Sequence, residues 1–199
     1  MERKDLIKNL ERNNFPKKII KAFAKIKREK FVPDNIKYLA YEDVALPLLE
    51  GATISQPYTI AFMLNLLQLE ENQKILEIGS GSGYVLALIS SIIKKGKIYG
   101  IEIIKSLAEK SKKDLRKDKK IIIINQDGSK GLPEKSPFDR ILISAATQEI
   151  PNHLLEQLKN GGILVAPVKN SIFKIKKQDS KLTKKEFPGF VFVPLIKNK

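Results

Sequence analysis

The chain has 199 residues, 42% of them hydrophobic and 30% charged, with a formal net charge of +15, a balance that suits one globular domain with a sizeable core. It has no Cys and one His, His153, which excludes disulfides, thiolate catalysis, zinc–thiolate sites and multi-histidine centres, so no metal is expected. No apolar run reaches membrane-spanning length, and the start, M-E-R-K-D-L-I-K-N-L, has neither a signal core nor a cleavage site; a cytoplasmic protein without membrane contact is the expectation.

Residues 4–30 predict two helical stretches. Leu6, Ile7 and Leu10 recur at helical spacing, as do Ile19, Ile20, Phe23 and Ile26, and Pro16 suits the first turn of the second helix. F-V-P at 31–33 breaks the pattern, and 34–55 reads as extended or looped. Helical spacing resumes after Pro57 with Ile60, Met63, Leu64 and Leu67, and runs to about Glu70.

The rhythm then changes. K-I-L-E-I-G (74–79) predicts a strand before a Gly-rich turn, with a helix over 83–94. K-I-Y-G-I-E (97–102) is a second strand, followed by a Lys-rich helix near 105–117. I-I-I-I-N-Q-D (121–127) and R-I-L-I-S-A (140–145) are further strands. P-N-H-L-L-E-Q-L-K-N (151–160) reads as a helix stopped by Gly161-Gly162. G-I-L-V-A-P-V (162–168), I-F-K-I-K-K (172–177) and F-V-F-V-P-L (190–195) complete the strands. Short apolar strands alternating with helices imply an α/β fold, a mostly parallel sheet flanked by helices. A short charged link between the last two strands predicts an antiparallel C-terminal hairpin. The expected organisation is a single domain over 1–199, with 1–55 an N-terminal helical and looped appendage on a 56–199 cofactor-binding core.

L-E-I-G-S-G-S-G, Leu76 to Gly83, carries the chemistry. Glycines there allow a tight turn and close approach to a ligand. Glu102 ends the next strand, about 20 residues on, where an acid can hold ribose hydroxyls. The dinucleotide pattern G-x-G-x-x-G fails, because its last Gly would fall on Tyr84 or Leu86, and no G-K-[ST] follows for a P-loop. With Glu77 before the turn, the pattern E-x-G-x-G-x-G resembles the S-adenosylmethionine loop of class I methyltransferases. That resemblance implies S-adenosyl-L-methionine as cofactor, with S-adenosylhomocysteine as product. It implies that Glu77, Gly79, Ser80, Gly81, Ser82 and Gly83 wrap the amino-acid end, that Glu102 binds ribose, and that Asp127 and Gly128 meet the adenine. A plain turn residue is the alternative for Asp127, and an ordinary solvated strand end the alternative for Glu102.

S-A-A-T-Q-E-I-P (144–151) lacks the paired prolines and aromatic that clamp a planar amine, which argues against base N-methylation. The positive charge keeps nucleic acid in view. Its excess, around 105–120 and 169–185, has no interleaved aromatics, and a solvated lysine-rich surface is the favoured reading.

R-E-K-F-V-P (28–33), A-Y-E-D-V-A-L-P (40–47), A-T-I-S-Q-P (52–57), L-E-I-G-S-G-S-G-Y (76–84), S-P-F-D-R-I (136–141), A-A-T-Q-E-I-P (145–151), L-L-E-Q-L-K-N-G-G (154–162) and F-V-P-L (192–195) stand in order. Together they resemble the protein-L-isoaspartate O-methyltransferases over nearly the whole chain. The resemblance implies a Rossmann-like fold of seven strands. It implies methyl transfer to the α-carboxylate of L-isoaspartyl, and also D-aspartyl, residues in damaged proteins, which starts repair through a succinimide. Isoaspartyl peptides and proteins are then the partners, and a monomer is expected. Ser55 is implied as the catalytic-site residue, with Thr53, Ile54, Gln56 and Val193 (beside Pro194) shaping a peptide slot floored by Ala145 and Ala146. The alternative for Thr53 or Ser55 is a cap on the helix starting near Pro57. His153 reads as a surface or half-buried residue without a role in the site.

Two departures stand out. P-L-L-E-G-A (47–52) replaces the family's Pro-Ile-Gly-x-Gly-Gln, and the loop after Val168 is shortened. A methyltransferase of another acceptor, a small-molecule carboxylate or RNA, and an inactive basic binding module of the same fold are the competing readings.

Overall fold

The computed structural model describes residues 1–179 and 181–195. Helices α1 (Arg3–Arg12) and α2 (Lys17–Lys25) come first, then a 3-10 turn at Arg28–Lys30 and a longer 3-10 segment, kinked at Ile36, at Asp34–Leu39. A two-residue ribbon pairs β1 (Leu46–Pro47) with β2 (Thr53–Ile54) antiparallel. Helix α3 (Pro57–Leu67) follows directly.

The remaining elements alternate as expected: β3 (Asn72–Ile78), α4 (Tyr84–Ile92), β4 (Lys95–Glu102), α5 (Lys105–Leu115), β5 (Ile121–Asn125), β6 (Phe138–Ile143), α6 (Asn152–Glu156), β7 (Leu158–Val168), β8 (Ser171–Gln178) and β9 (Lys181–Pro188). They form one seven-stranded sheet in the order β5-β4-β3-β6-β7-β8-β9. Strands β5 to β7 run parallel, and β8 and β9 close the edge antiparallel. The chain steps outward from β3 to β5 and returns to β6 on the other side of β3. The strand order therefore reverses at β3, where open α/β sheets bind ligands beyond the strand C-termini.

Why the sheet is covered on both faces is visible residue by residue. Ile75, Leu142, Ile163 and Val165 join the cluster built by α1 to α4. Their neighbours Leu76, Ile141, Leu164 and Ala166 join a second cluster with Leu154 of α6. This is the period of two that a strand imposes, with both sides apolar. Leu6, Leu10, Ile19 and Phe23 belong to the first cluster, so the N-terminal helices share the core of the sheet.

Two expectations need correction. F-V-F-V-P-L (190–195) is not a strand: the last strand is β9, and the stretch expected as a charged link supplies it. Residues 189–195 instead cross the C-terminal end of the sheet, held by Asn170 at one end and Ala146 at the other. The helix expected over 151–160 stops at Glu156, and Gly161-Gly162 lies inside β7, where a register shift against β6 absorbs it. The shortened loop after Val168 is a two-residue turn between β7 and β8.

Among the described residues no helix is long and apolar enough to cross a membrane, and no group of three or more His, Cys, Asp or Glu could hold a metal.

Candidate active site

The glycine loop begins where β3 ends. Gly79 and Gly81 have φ of +76° and +51°, a region that costs other L-residues steric strain. The turn lets the Gly79 and Ser80 N–H groups both donate to the Ile101 carbonyl, at 2.9 and 3.0 Å. Glu102, at the end of β4, then ties the loop from the side. One of its carboxylate oxygens accepts from the Gly81 N–H at 2.7 Å and the other from the Ile104 N–H at 2.9 Å. A carboxylate has lone pairs beyond those two bonds, so Glu102 can take ligand hydroxyls while holding the loop.

A cavity of about 270 Å³ opens over this point. Glu102, Ile103 and Ile104 line one side, and Gly128, Ala145 and Val193 line others. Gly128 is required there by space: a Cβ would lie 2.7 Å from the Ile78 Cγ2. Beside it is a smaller cavity of about 40 Å³, lined by Thr53, Ser55, Glu77, Ser80 and Ser82 among others. Two polar atoms buried in its wall, Glu77 Oε2 and Ser80 Oγ, have no hydrogen-bond partner among the described residues. Burial of such atoms is costly unless a partner arrives. A ligand with both donors and acceptors, such as an amino-acid end, fits that wall.

Glu77 is 1% exposed. Burial pushes its carboxyl up to about 8, with Glu102 adding to the rise, although the Ser144 hydroxyl donates to its Oε1 at 2.7 Å and opposes it. In the free protein this acid is therefore neutral near pH 7.

A third cavity, of about 260 Å³, lies on the far side of β2 and is lined by Ala45, Thr53, Ser55, Gln56, Thr59 and the stretch Val191–Val193. Thr53 borders all three cavities, and Ser55 borders the small one and this slot. The T-I-S-Q stretch is thus the partition between the Gly-loop side and the slot.

Not every expected residue reaches a cavity wall. Gly83 starts α4 with φ +82°, and a Cβ there would meet Leu115 and Ser111 of α5; its place is helix packing. Asp127 is half-buried and accepts from the Ser129 N–H at 2.7 Å, one residue from the wall that Gly128 forms. Ala146 bonds through its backbone to Val193 and Leu195, at 2.8 Å each, and so anchors the covering segment. Ile54 does reach one: it is buried, lines the small cavity, and turns its carbonyl to Arg28. His153 contacts the Ser129 carbonyl, outside all three cavities.

Two residues escaped the sequence reading. Asp43 caps α3: its carboxylate accepts from the Tyr58 N–H at 2.8 Å and the Gln56 amide at 3.3 Å. Thr53 and Ser55 do not cap that helix. Arg28 is fully buried behind the T-I-S-Q stretch. Each sits in a segment singled out by the family resemblance. Neither carried a local signal: Arg28 lies in the charged run K-R-E-K (27–30), and Asp43 follows another acid, Glu42.

A parallel sheet whose order reverses beside a three-glycine loop, with cavities rather than a pyrophosphate cradle above it, is the architecture of a class I methyltransferase. The model of the protein-L-isoaspartate(D-aspartate) O-methyltransferase family matches residues 1–199. The chain belongs to that family. A relative from Ignicoccus hospitalis, named protein-L-isoaspartate O-methyltransferase, is 37% identical over 205 residues, covering 98% of this chain and 97% of that protein. A solved protein-L-isoaspartate O-methyltransferase superposes with a TM-score of 0.88 at 29% identity, over 97% of this chain and 65% of that one; the present chain thus spans just under two thirds of its length. A solved Plasmodium falciparum structure of the same family name, in complex with S-adenosyl-L-homocysteine, matches with a TM-score of 0.85 over 100% of both chains. At 24% identity that likeness concerns the fold.

Proposed function

We propose that this protein transfers a methyl group from S-adenosyl-L-methionine to the α-carboxylate of L-isoaspartyl residues, D-aspartyl residues being a further substrate, in damaged proteins. The observation that carries this reading is the partition: Thr53 and Ser55 both border the small Gly-loop cavity and the slot under Val191–Val193, and Thr53 also borders the larger one. Donor and acceptor sites that share one wall are what direct transfer requires.

The residues fit the cofactor. Glu77 and Ser80 offer unpartnered polar atoms to its amino-acid end. Glu102 serves the ribose, Gly128 admits the base against Ile78 and Ile101, and Asp127 beside it serves the adenine amino group. When bound, the cofactor supplies an electrophilic sulfonium methyl and a neutral thioether leaving group.

The acceptor needs no general base. A carboxylate with a pKa of roughly 3–4 is already ionised near pH 7, which suits a site without Cys and with the only His elsewhere. The Ser55 hydroxyl donates a hydrogen bond to one carboxylate oxygen and leaves the other facing the methyl. Gln56 and Val193 bound the peptide's path. Anion and cation neutralise as the bond forms, so a site closed to water helps mainly by alignment and desolvation. The methyl ester then loses methanol when the following backbone nitrogen attacks it. The resulting succinimide adds water to give aspartyl or isoaspartyl peptide.

The test follows that product. An isoaspartyl peptide incubated with the protein and S-adenosylmethionine should convert in part to its aspartyl isomer, resolved by chromatography. Methylation without such conversion, or none at all, contradicts the reading.

A further inference from the structure

Arg28 lies in the 3-10 turn after α2 and is 0% exposed. One of its terminal nitrogens donates to the carbonyls of Ala40 at 2.8 Å and Glu42 at 3.3 Å. The other donates to Val44 at 3.1 Å, Ile54 at 3.4 Å and Ser55 at 3.1 Å. The partners are neutral carbonyls from two separate segments. One segment leads into Ala45, a wall of the acceptor slot, and the other contains Ser55 itself.

Arg28 hydrogen-bonds only to uncharged groups, so no hydrogen-bonded ion pair offsets the cost of burying its charge. Burial lowers the Arg28 pKa to about 10, with Tyr84 and Asp43 opposing the shift. What the planar fork does well is geometry: its fixed donors set several acceptors relative to one another. Here the acceptors are the two sides of the slot.

We propose that Arg28 is the positioning residue of the acceptor site, acting through the backbone of Ile54 and Ser55 to fix where the Ser55 hydroxyl meets the carboxylate. This rests on the reading of Ser55 as the carboxylate's orienter. Arg28 touches neither substrate nor cofactor. Its loss removes the donors that the two segments share, and misplacement of about 1 Å is enough to cost roughly 100-fold in rate.

The test uses Arg28→Lys, Arg28→Met, Ser55→Ala and the double variant Arg28→Met/Ser55→Ala, assayed with an isoaspartyl peptide. Lys donates from a single nitrogen and lacks the planar fork that spans both segments; Met keeps the volume without the charge. Both Arg28 variants should lose roughly 10- to 100-fold in kcat, with calorimetric affinity for S-adenosylmethionine near that of the wild type. In the Ser55→Ala background the Arg28→Met change should lower kcat little further, because both act on one step. Equal loss in both backgrounds would overturn the proposal, as would parallel loss of cofactor affinity. Unfolding of both Arg28 variants would assign the residue to stability and overturn it too. A wild-type protein inactive on the isoaspartyl peptide removes the underlying reading; an active one with additive losses removes only the role of Arg28.

Discussion

The Arg28 guanidinium donates to the Ser55 carbonyl at 3.1 Å, so the backbone of this serine is held from inside the protein while its side chain borders two cavities. Helix α3, which begins two residues later, takes its cap from Asp43 instead. Backbone, helix start and hydroxyl are thereby served by three different residues, and their contributions can be separated.

Ser55→Ala should therefore lower kcat/KM for an isoaspartyl peptide without loosening the fold. A hydrogen bond to a charged group contributes about 1.5–3 kcal/mol, which corresponds to a loss of roughly 10- to 100-fold. Melting temperature and cofactor affinity should stay close to wild type. Loss of stability together with activity would return Ser55 to a structural part.

Asp43→Ala has the opposite signature. It removes the acceptor of the Tyr58 N–H and of the Gln56 amide, and loss of such a cap costs about 1 kcal/mol. Denaturant unfolding should show a lowered midpoint with an unchanged slope. Hydrogen exchange should quicken at the start of α3. Wild-type protection there would contradict the capping assignment.

Glu77 predicts a pH dependence. Its carboxyl titrates near 4.5 when solvated and near 8 when buried in the folded protein. An acid whose pKa is raised by folding contributes stability that is whole below the unfolded value. That contribution is lost as pH rises through the folded value. Glu77→Gln cannot ionise, so its melting temperature should gain on the wild type's between about pH 4.5 and about pH 8. Parallel curves would show that Glu77 does not hold its proton in the free protein.

Glu102 accepts from the Gly81 and Ile104 N–H groups at once. Glu102→Gln turns one of those contacts into a donor facing a donor and removes the charge offered to ribose. Affinity for S-adenosylmethionine should fall by roughly 10-fold or more, in line with about 1.5–3 kcal/mol for a bond to a charged group. Unchanged affinity in a calorimetric titration would remove the ribose assignment.

The order of strands and helices from β3 to β8 was legible because apolar runs of strand length alternate with amphipathic stretches, and glycines punctuate them. The Gly loop and Glu102 were legible because both sit at strand ends with fixed spacing. The end of the chain misled for a physical reason. F-V-F-V-P-L has strand composition, but its apolar side chains cover the cavities and Phe62 instead of pairing in the sheet. The lysine-rich stretch before it forms the edge strand, where charge is tolerated and opposes further pairing. Arg28 and Asp43 were illegible because their partners are 12 to 27 and 13 to 15 residues away, and no local period encodes such bonds.

The central claim is that the slot beside Ser55 presents an isoaspartyl α-carboxylate to the methyl donor. It is tested most directly with labelled S-adenosylmethionine and two peptides identical except for Asp or isoAsp at one position. The account predicts base-labile label on the isoaspartyl peptide and almost none on the aspartyl one. Equal labelling of the two, or label that resists base, would contradict it.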